Sequence, residues 1–387
     1  MLITRFYHVV LLIGLLHAPH VLARIGYRLI QTPVTLGNYK PAQTQYAIIS
    51  PQGNFFGQID SLGNARIWSL QRPEFPYVEL MADSAKGQIF IDISFSPDEN
   101  HIIFDSSENN TGLATRGRII VVSTANLQKQ EFNTFIWGGT KKSKFAFSST
   151  KLLAYVPAGA GNEIEIVDLV TKKQRKIIEH NFASIVSLSF DPTAKKIAIK
   201  DMTAKTIRIR DTDSGVLLKE LDLQFPMPDD EFSPDQTLFY WGQGNMLAVN
   251  SNVNEFAVGF DAQTGKGQFP FMWFSPLAMF TSNDTKILAV ADENFSLNIQ
   301  KVNDPMLYVI EPFGFFNFVV AGAFSPSDKL FAVGSVQGQV AVYDASLNFQ
   351  GGGTLTNNEE IQQIVFAHEQ RFLSLSINNI LTRWDLR

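Results

Sequence analysis

A chain of 387 residues exceeds the usual size of one compact domain, so it forms either two domains or one body built from repeats. It contains no cysteine, which excludes disulfides, thiolate metal sites and catalytic thiols. The formal net charge is −5, with 25 Lys and Arg against 20 Asp and Glu in residues 1–224 but 7 against 17 in residues 225–387. No part is basic enough to predict nucleic acid as the main ligand.

Residues 1–23 have the pattern of a secretory signal peptide. Arg5 gives a weakly basic start, Val9 to Leu16 form a short apolar core, and Val21-Leu22-Ala23 ends in a small residue suited to cleavage. The apolar run is shorter than the roughly 18–20 residues that a spanning helix needs, so cleavage is favoured over an uncleaved membrane anchor. The sequence therefore predicts an exported protein, periplasmic or extracellular, whose single domain covers residues 24–387.

A motif that recurs every 42 to 52 residues dominates the rest of the chain. Each copy is an alternating apolar strand ending in Phe-Ser-Pro-Asp or a relative, followed by a second and a third strand. The eight copies begin at Ile49, Phe95, Phe147, Phe190, Phe232, Phe280, Phe324 and Phe366. This spacing matches the ~40–45 residues of a four-stranded propeller blade, and the polar insert Ser106 to Gly117 lengthens the second copy.

The seventh copy illustrates the physical logic of the repeat. Residues alternate from Ala321 to Ser325 with the period of two that a strand requires, and Pro326-Ser327-Asp328 then forms a turn. Leu330 to Val333 and Val340 to Tyr343 follow as the second and third strands. No useful length of the chain has helical periodicity, so the sequence predicts an all-β fold.

The ends of the third strands carry the most specific signal. They read Val167-Asp168, Arg210-Asp211, Phe260-Asp261, Tyr343-Asp344 and Trp384-Asp385, of which the last is a literal WD dipeptide. Over about residues 46–387 the chain therefore resembles the degenerate WD40-like repeats of secreted, bacterial-type β-propellers. It departs from them in lacking the usual Gly-His pair before each inner strand. The resemblance implies a protein-interaction scaffold without a cofactor rather than an enzyme.

The number of copies predicts eight blades. The alternative is seven, with the sixth or the first copy not forming a blade. The last copy stops at its third strand, Ile380 to Leu386, and so lacks an outer strand. We expect Tyr27 to Leu36 to supply that strand and close the ring by pairing the two chain ends, because closure removes an exposed sheet edge.

Aromatic clusters lie between the third strand of one copy and the first strand of the next. They are Phe75-Pro76-Tyr77, Phe132 to Trp137, Phe225-Pro226-Met227, Phe269 to Phe274 and Phe313 to Phe318. The connections from one blade to the next reach one face of a propeller, here called the top face, where exposed rings predict a partner-binding surface. The candidate partner-binding residues are Trp137, Phe271, Trp273, Phe274, Phe315 and Phe316. The alternative is that the clusters belong to strands and pack between blades.

A basic cluster occupies the third and fourth copies. Its members are Lys172, Lys173, Arg175, Lys176, Lys195 and Lys196. The first four follow a third strand and the last two lie in a first-to-second turn, so all are expected on the opposite, bottom face. There they would attract an anionic partner or lipid headgroups, which limits any membrane contact to a peripheral one. A solvated rim is the alternative.

The case for an enzyme or ligand site rests on Asp229, Asp230 and Glu231, which precede the fifth copy near the expected channel mouth. Such a cluster suits a calcium ion or a general acid and base, and a hydrated loop is the alternative. The histidines after residue 23, His101, His180 and His368, fall in separate copies, and no catalytic motif is present. We therefore predict no catalytic residue, metal site or cofactor, but a monomeric, non-enzymatic scaffold with a protein partner. The alternative function is a small-ligand-binding or metal-binding propeller, or an enzyme.

Overall fold

The computed structural model describes residues 28–387 with internal gaps. The gaps are residues 38, 84–86, 109–113, 138–143, 149–150, 160–161, 180–184, 202–205, 223–236, 242–245, 252–255, 263–266, 275–277, 285, 293–295, 302–306 and 314–316. From residue 222 to residue 277 only the backbone is described, apart from Asp261 and Ala262. The predicted signal peptide, residues 1–23, lies outside the described residues.

The described strands form eight four-stranded antiparallel sheets. Blades 1 to 4 consist of β2 (Thr44–Ile49), β3 (Phe55–Asp60), β4 (Ala65–Ser69) and β5 (Val78–Leu80); β6 (Gln88–Phe95), β7 (His101–Glu108), β8 (Ala114–Ser123) and β9 (Lys129–Trp137); β10 (Phe145–Phe147), β11 (Leu152–Tyr155), β12 (Glu163–Asp168) and β13 (Gln174–Ile178); and β14 (Ile185–Phe190), β15 (Lys196–Asp201), β16 (Thr206–Asp211) and β17 (Leu217–Asp222).

The other four blades complete the set, and the last of them takes its outer strand from the start of the chain. They consist of β18 (Thr237–Trp241), β19 (Met246–Ser251), β20 (Phe256–Asp261) and β21 (Gly267–Phe274); β22 (Ala278–Thr281), β23 (Ile287–Ala291), β24 (Leu297–Lys301) and β25 (Leu307–Ile310); β26 (Val319–Phe324), β27 (Leu330–Ser335), β28 (Gln339–Asp344) and β29 (Phe349–Thr354); and β30 (Ile361–His368), β31 (Arg371–Ser376), β32 (Leu381–Leu386) and β1 (Leu29–Pro33).

The sheets follow one another around a ring. First strands of most neighbouring blades contact each other, and the contact between β30 and β2 brings the last blade against the first. Eight four-stranded sheets correspond to the eight copies of the sequence motif. Among the described residues the one helical element is the 3-10 helix Pro41–Gln43, so the all-β prediction is confirmed. In the same part of the chain no helix is long and apolar enough to cross a membrane.

Strand β1 closes the ring by pairing with β32. Leu29 lies opposite Leu386 and Pro33 opposite Thr382 in an antiparallel ladder of five residues. Arg28 and Arg387 extend it, since each backbone N–H donates to the other's carbonyl, at 2.7 and 3.0 Å. The predicted closure by the two chain ends is therefore confirmed.

The core lies between blades rather than inside any one of them. Because strand side chains alternate, each sheet presents one apolar face to the blade before it and one to the blade after it. The buried clusters accordingly each join two adjacent blades, including blade 8 to blade 1. The largest fully buried side chains are Trp68 and Trp384, on the third strands of blades 1 and 8. Trp384 donates from Nε1 to Ser374 Oγ at 2.8 Å.

The Phe-Ser-Pro-Asp turns link the blades along the bottom face. Glu99 and Asp328 occupy the same turn position in blades 2 and 7, with φ of 56° and 58°. Glu99 accepts hydrogen bonds from the Gln52 backbone at 2.6 Å and from Asn54 at 2.9 Å, both in blade 1. Asp328 accepts from the Asn283 backbone of blade 6 at 2.8 Å. An acidic side chain thus holds consecutive turns together at these two interfaces.

The aspartate that ends a third strand caps the turn that follows. Asp168 Oδ1 accepts from the backbone N–H groups of Val170 and Thr171 at 3.0 and 2.8 Å. Asp211 and Asp344 make equivalent bonds in blades 4 and 7. Short polar side chains favour such local bonds in turns. The aspartate of the sequence motif is therefore a turn-forming residue.

The position predicted for Phe75 and Tyr77 is wrong. They precede β5, so they lie in the third-to-fourth connection of blade 1 on the bottom face, not in a top-face connection. The two ends of the insert Ser106 to Gly117 extend β7 and β8.

Candidate partner-binding surfaces

Two faces of the propeller are distinguished by their connections. The top face carries the connections from a fourth strand to the next first strand and the second-to-third turns. The bottom face carries the first-to-second and third-to-fourth turns, as follows from the antiparallel order of every sheet.

The predicted aromatic surface lies partly on strands and partly outside the described residues. Phe271, Trp273 and Phe274 belong to the outer strand β21, and Trp137 is the last residue of the outer strand β9. Their backbones are therefore not in loops. The third cluster, around Phe225, and the candidates Phe315 and Phe316 lie outside the described residues.

The described part of the top face exposes apolar side chains in blades 8 and 1. Leu62 and Met81 of blade 1 are 73% and 62% exposed, and Ile377 of blade 8 is 47% exposed. Each occupies a second-to-third turn or the end of an outer strand. Exposed apolar side chains on neighbouring turns are typical of interaction sites. The spacing of the repeat gave no signal for these three residues, because they lie outside the aromatic clusters.

Hydrogen bonds hold the two turns that carry Leu62 and Ile377. Asn379 of blade 8 donates to the carbonyl of Thr44 at 3.3 Å, and the Ser61 backbone of blade 1 donates to the carbonyl of Gln43 at 3.0 Å. The side chain of Gln58 donates to Thr44 Oγ1 at 2.8 Å. The start of blade 1 thus bridges the two turns and fixes the positions of the exposed residues.

The two turns of the basic cluster lie on the bottom face, where they were predicted. The other members of the cluster lie on the strands that follow these turns. Lys172 and Lys173 are in the third-to-fourth turn of blade 3, and Lys195 is in the first-to-second turn of blade 4. Lys196 begins β15, while Arg175 and Lys176 lie on β13.

Part of the basic cluster is neutralised within the fold. Arg175 forms an ion pair with Asp213 of the next blade and donates to the carbonyl of Thr212 at 2.7 Å. Lys176 pairs with Glu163. The exposed cations Lys173, Lys195 and Lys196 have no ion pair among the described residues. The structure therefore favours a smaller basic surface than the six residues suggest.

A buried charge cluster joins blades 3 and 4 near the top face. Glu179, which is fully buried, accepts from Arg208 at 2.8 Å and from two nitrogens of Arg210, one of them at 2.9 Å. Arg208 also pairs with Glu220 at 3.0 Å. These residues hold the two blades together, and both arginines are engaged in this contact.

Lys200 is a buried basic residue that the sequence did not reveal. It is fully buried on β15, and its Nζ donates to the carbonyl of Asp201 at 2.5 Å. Burial lowers the pKa of Lys200 to about 8, although the charge of Asp201 acts in the opposite direction. Strand alternation alone predicts no charged residue at such a position.

A groove opens between the outer parts of blades 6 and 7. Its volume is about 430 Å³, and it is lined by Pro312, Phe313, Gln339, Val340, Ala341, Phe349, Gly352, Gly353 and Thr354. Phe349 is 60% exposed, and its ring packs against Tyr343 with centroids 5.7 Å apart. The groove size falls within the range of ligand-holding clefts, roughly 300–1,000 Å³.

The acidic candidates Asp229, Asp230 and Glu231 lie outside the described residues, as does His180. His101 is buried, which lowers its pKa, while Asp98 acts to raise it. Among the described residues no group of three His, Asp or Glu side chains is arranged to hold a metal ion.

Asp168 makes a pH-dependent contribution to stability that can be measured. Burial acts to raise its pKa, but bonds from Lys151 and from two backbone amides outweigh burial and lower it to about 2. An unfolded Asp titrates at about 3.9. A carboxylate whose pKa is lowered in the folded state stabilises the fold at pH values above its unfolded-state pKa. This stabilisation is lost as the pH falls through the folded-state pKa.

We therefore expect Asp168→Asn to lower the free energy of unfolding at pH 6, and the difference from the parent to shrink between about pH 4 and pH 2. Urea unfolding at a series of pH values measures this. Glu74→Gln, which alters an exposed carboxylate, is the control and should show no such trend. A pH-independent difference for Asp168→Asn would contradict the assignment.

Comparisons with known proteins give a fold but no relative. No protein-family model matches the chain, and a search of curated proteins finds no similar sequence. Among solved structures, the C-terminal WD40 domain of Sif2 is similar, with a TM-score of 0.64 over 92% of this chain and 99% of that chain. The two sequences are 11% identical, so the similarity concerns the fold alone.

Proposed function

We propose that this chain, a β-propeller of the WD40 type in fold, is an exported, non-enzymatic scaffold that binds a protein partner on its top face. The observation that carries the proposal is the set of exposed apolar residues on the top face of blades 8 and 1. Leu62, Met81 and Ile377 project from turns of a closed ring. Because this surface is preformed, the propeller loses little conformational entropy when a partner covers its apolar side chains.

The aromatic candidates extend this proposal around the ring. Phe271, Trp273 and Phe274 come at the top end of blade 5, because β21 ends where the connection to blade 6 begins. Phe315 and Phe316 come in the next such connection, before β26. The proposed surface therefore includes the ends of blades 5 and 6 as well as blades 8 and 1.

An in-cell crosslinking pull-down of the tagged full chain tests the proposal. The test variant is Leu62→Ser/Met81→Ser/Ile377→Ser, and a second variant is Trp273→Ser/Phe315→Ser. The matched control is Phe75→Ser/Val170→Ser/Val216→Ser, which removes three apolar residues that are 77%, 67% and 58% exposed on the bottom face. Each protein is first shown to be exported and to melt as the parent does.

We expect defined partners that crosslink to the parent and the control but are lost, at least tenfold, from a top-face variant. Equal capture by all four proteins would contradict the top-face assignment. If the parent captures no protein, the scaffold function is wrong. The predicted alternative, a small ligand or metal at Asp229, Asp230 and Glu231, would then be tested by the effect of calcium on the melting temperature.

A further inference from the structure

The outer strand of blade 7 has no residue that protects its edge. An exposed strand edge pairs readily with another chain unless charges, proline or a covering group prevent it. Six of the other outer strands contain a charge or a proline: Glu79 in β5, Lys129 and Glu131 in β9, Arg175 and Lys176 in β13, Lys219 and Glu220 in β17, Pro270 in β21 and Pro33 in β1. Strand β29, Phe349–Thr354, has neither, a property that it shares with the shorter β25.

Two neighbouring glycines of β29 are constrained from different sides. A Cβ at Gly353 would lie 2.8 Å from the ring of Trp384 in blade 8, so that position needs glycine. The nearest atoms to a Cβ at Gly352 would belong to blade 7 itself, the carbonyl oxygen of Val340 at 3.0 Å and the ring of Phe349 at 3.3 Å. Gly352 is exposed, and it lies beside the groove rather than against another blade.

The absence of a side chain at Gly352 keeps the floor of the groove open. Gly352 pairs with Ala341 on β28, so the smallest residues of both strands are adjacent. Phe349 lies at one end of this floor and Phe313 of blade 6 forms a wall. The sheet edge and a groove of mixed polar and apolar lining are therefore side by side, and a strand laid along β29 would place alternate side chains toward the groove.

The charge around the groove indicates the composition of the occupant. The groove lies in residues 225–387, where acidic residues number 17 against 7 basic ones. Glu311, directly before the groove residue Pro312, is exposed. A partner segment with Lys or Arg beside its apolar residues complements this surface.

We propose that β29 and the adjacent groove bind an extended, basic segment of a partner protein by strand addition. The main chain of the segment pairs with the free edge of β29, and an apolar side chain enters the groove beside Phe349. Strand addition takes affinity from main-chain hydrogen bonds and specificity from side-chain pockets. The site lies between blades 6 and 7, so it is distinct from the top-face surface of blades 8 and 1 and shares with the aromatic candidates only the connection that contains Phe313.

Selection from a phage-displayed library of random dodecapeptides on the full chain tests this site. The enriched peptides are resynthesised with a fluorophore, and their affinities are measured by polarisation. We expect peptides in which aromatic or aliphatic residues alternate with Lys or Arg. N-methylation of alternate backbone nitrogens should weaken binding at least tenfold, because it removes the donors that pair with β29.

Two variants and their controls locate the binding. Gly352→Glu places a charge on the edge, and its control is Leu218→Glu on the outer strand of blade 4, where Leu218 is 48% exposed. Phe349→Ser removes the exposed ring, and its control is Phe75→Ser. We expect each groove variant to lose at least tenfold in affinity while its control binds as the parent does.

Three results would overturn the proposal: no enriched peptide, binding that survives both groove variants, or binding that N-methylation leaves unchanged. Because Phe349 is largely exposed, Phe349→Ser should fold even if Gly352→Glu does not. The top-face variant Leu62→Ser/Met81→Ser/Ile377→Ser should retain peptide binding. Failure of one proposal is thus separable from failure of the other.

Discussion

Removal of β1 should lower the free energy of unfolding by about 3–5 kcal/mol, because the five-residue ladder with β32 is lost and each backbone hydrogen bond contributes about 0.5–1.5 kcal/mol net. The shortened chain begins at Val34, and the comparison protein begins at Arg24, so both lack the predicted signal peptide. Urea unfolding measures the difference, and light scattering measures association. We also expect the shortened chain to self-associate, since the backbone groups of β32 that pair with β1 become a free strand edge.

The substitution Ile30→Pro is the matched control for this deletion. It leaves the chain length unchanged and removes one backbone donor from β1 while the rest of the strand remains. We expect a loss smaller than that of the deletion. If the deletion melted as the comparison protein does, the ladder would not be the contact that closes the ring.

Loss of the buried carboxylate in Glu179→Ala should cost about 3–5 kcal/mol of unfolding free energy, the magnitude for removing one partner of a buried ion pair. Glu179 is fully buried, whereas the side chains of Arg208 and Arg210 are 12% and 16% exposed. Burial acts to lower the pKa of Arg208, but its bonds to Glu179 and Glu220 outweigh burial and raise it. Without Glu179, Arg210 would remain between the blades with its charge uncompensated there.

The pair of Glu131 and Arg118 provides the control. It joins two strands of one blade at 3.1 Å, and its side chains are 52% and 32% exposed. We expect Glu131→Ala to cost less than about 1 kcal/mol, as is usual for exposed pairs. Denaturant unfolding of both variants measures the two losses of unfolding free energy. Equal losses would show that burial between the blades does not strengthen the Glu179 contact.

The ring of blades was predictable from the sequence because the features that indicate a blade recur along the chain. Strand alternation, the Phe-Ser-Pro-Asp turns and the third-strand aspartates recur, so an error in one copy leaves the others intact. Prediction from the repeated motif fails in blade 1. Its third strand ends in Trp68-Ser69 without an aspartate, and a long connection precedes β5. Phe75 and Tyr77 were therefore assigned to the wrong face.

The contacts between blades were not predictable in the same way. Glu179 and Arg210 belong to different blades, and no periodic pattern links their positions in the sequence. The same is true of Glu99, whose side chain reaches the turn of the preceding blade. Strand β29 could not be predicted from propensity either, because three consecutive glycines are unfavourable in a strand.

Closure by β1 and β32 has a consequence for how the protein is made. The two strands come from opposite ends of the chain, so the last blade cannot be completed until its final strand has been synthesised. Until then, β1 has no partner, and the face of blade 1 that carries Ile49 and Phe56 lacks the blade that buries it. Contacts between distant parts of a chain form slowly, and exposed edges aggregate in the meantime. We therefore expect the ring to stay open until synthesis is complete, and a binding protein that shields β1 or blade 1 during synthesis to raise the yield of folded molecules.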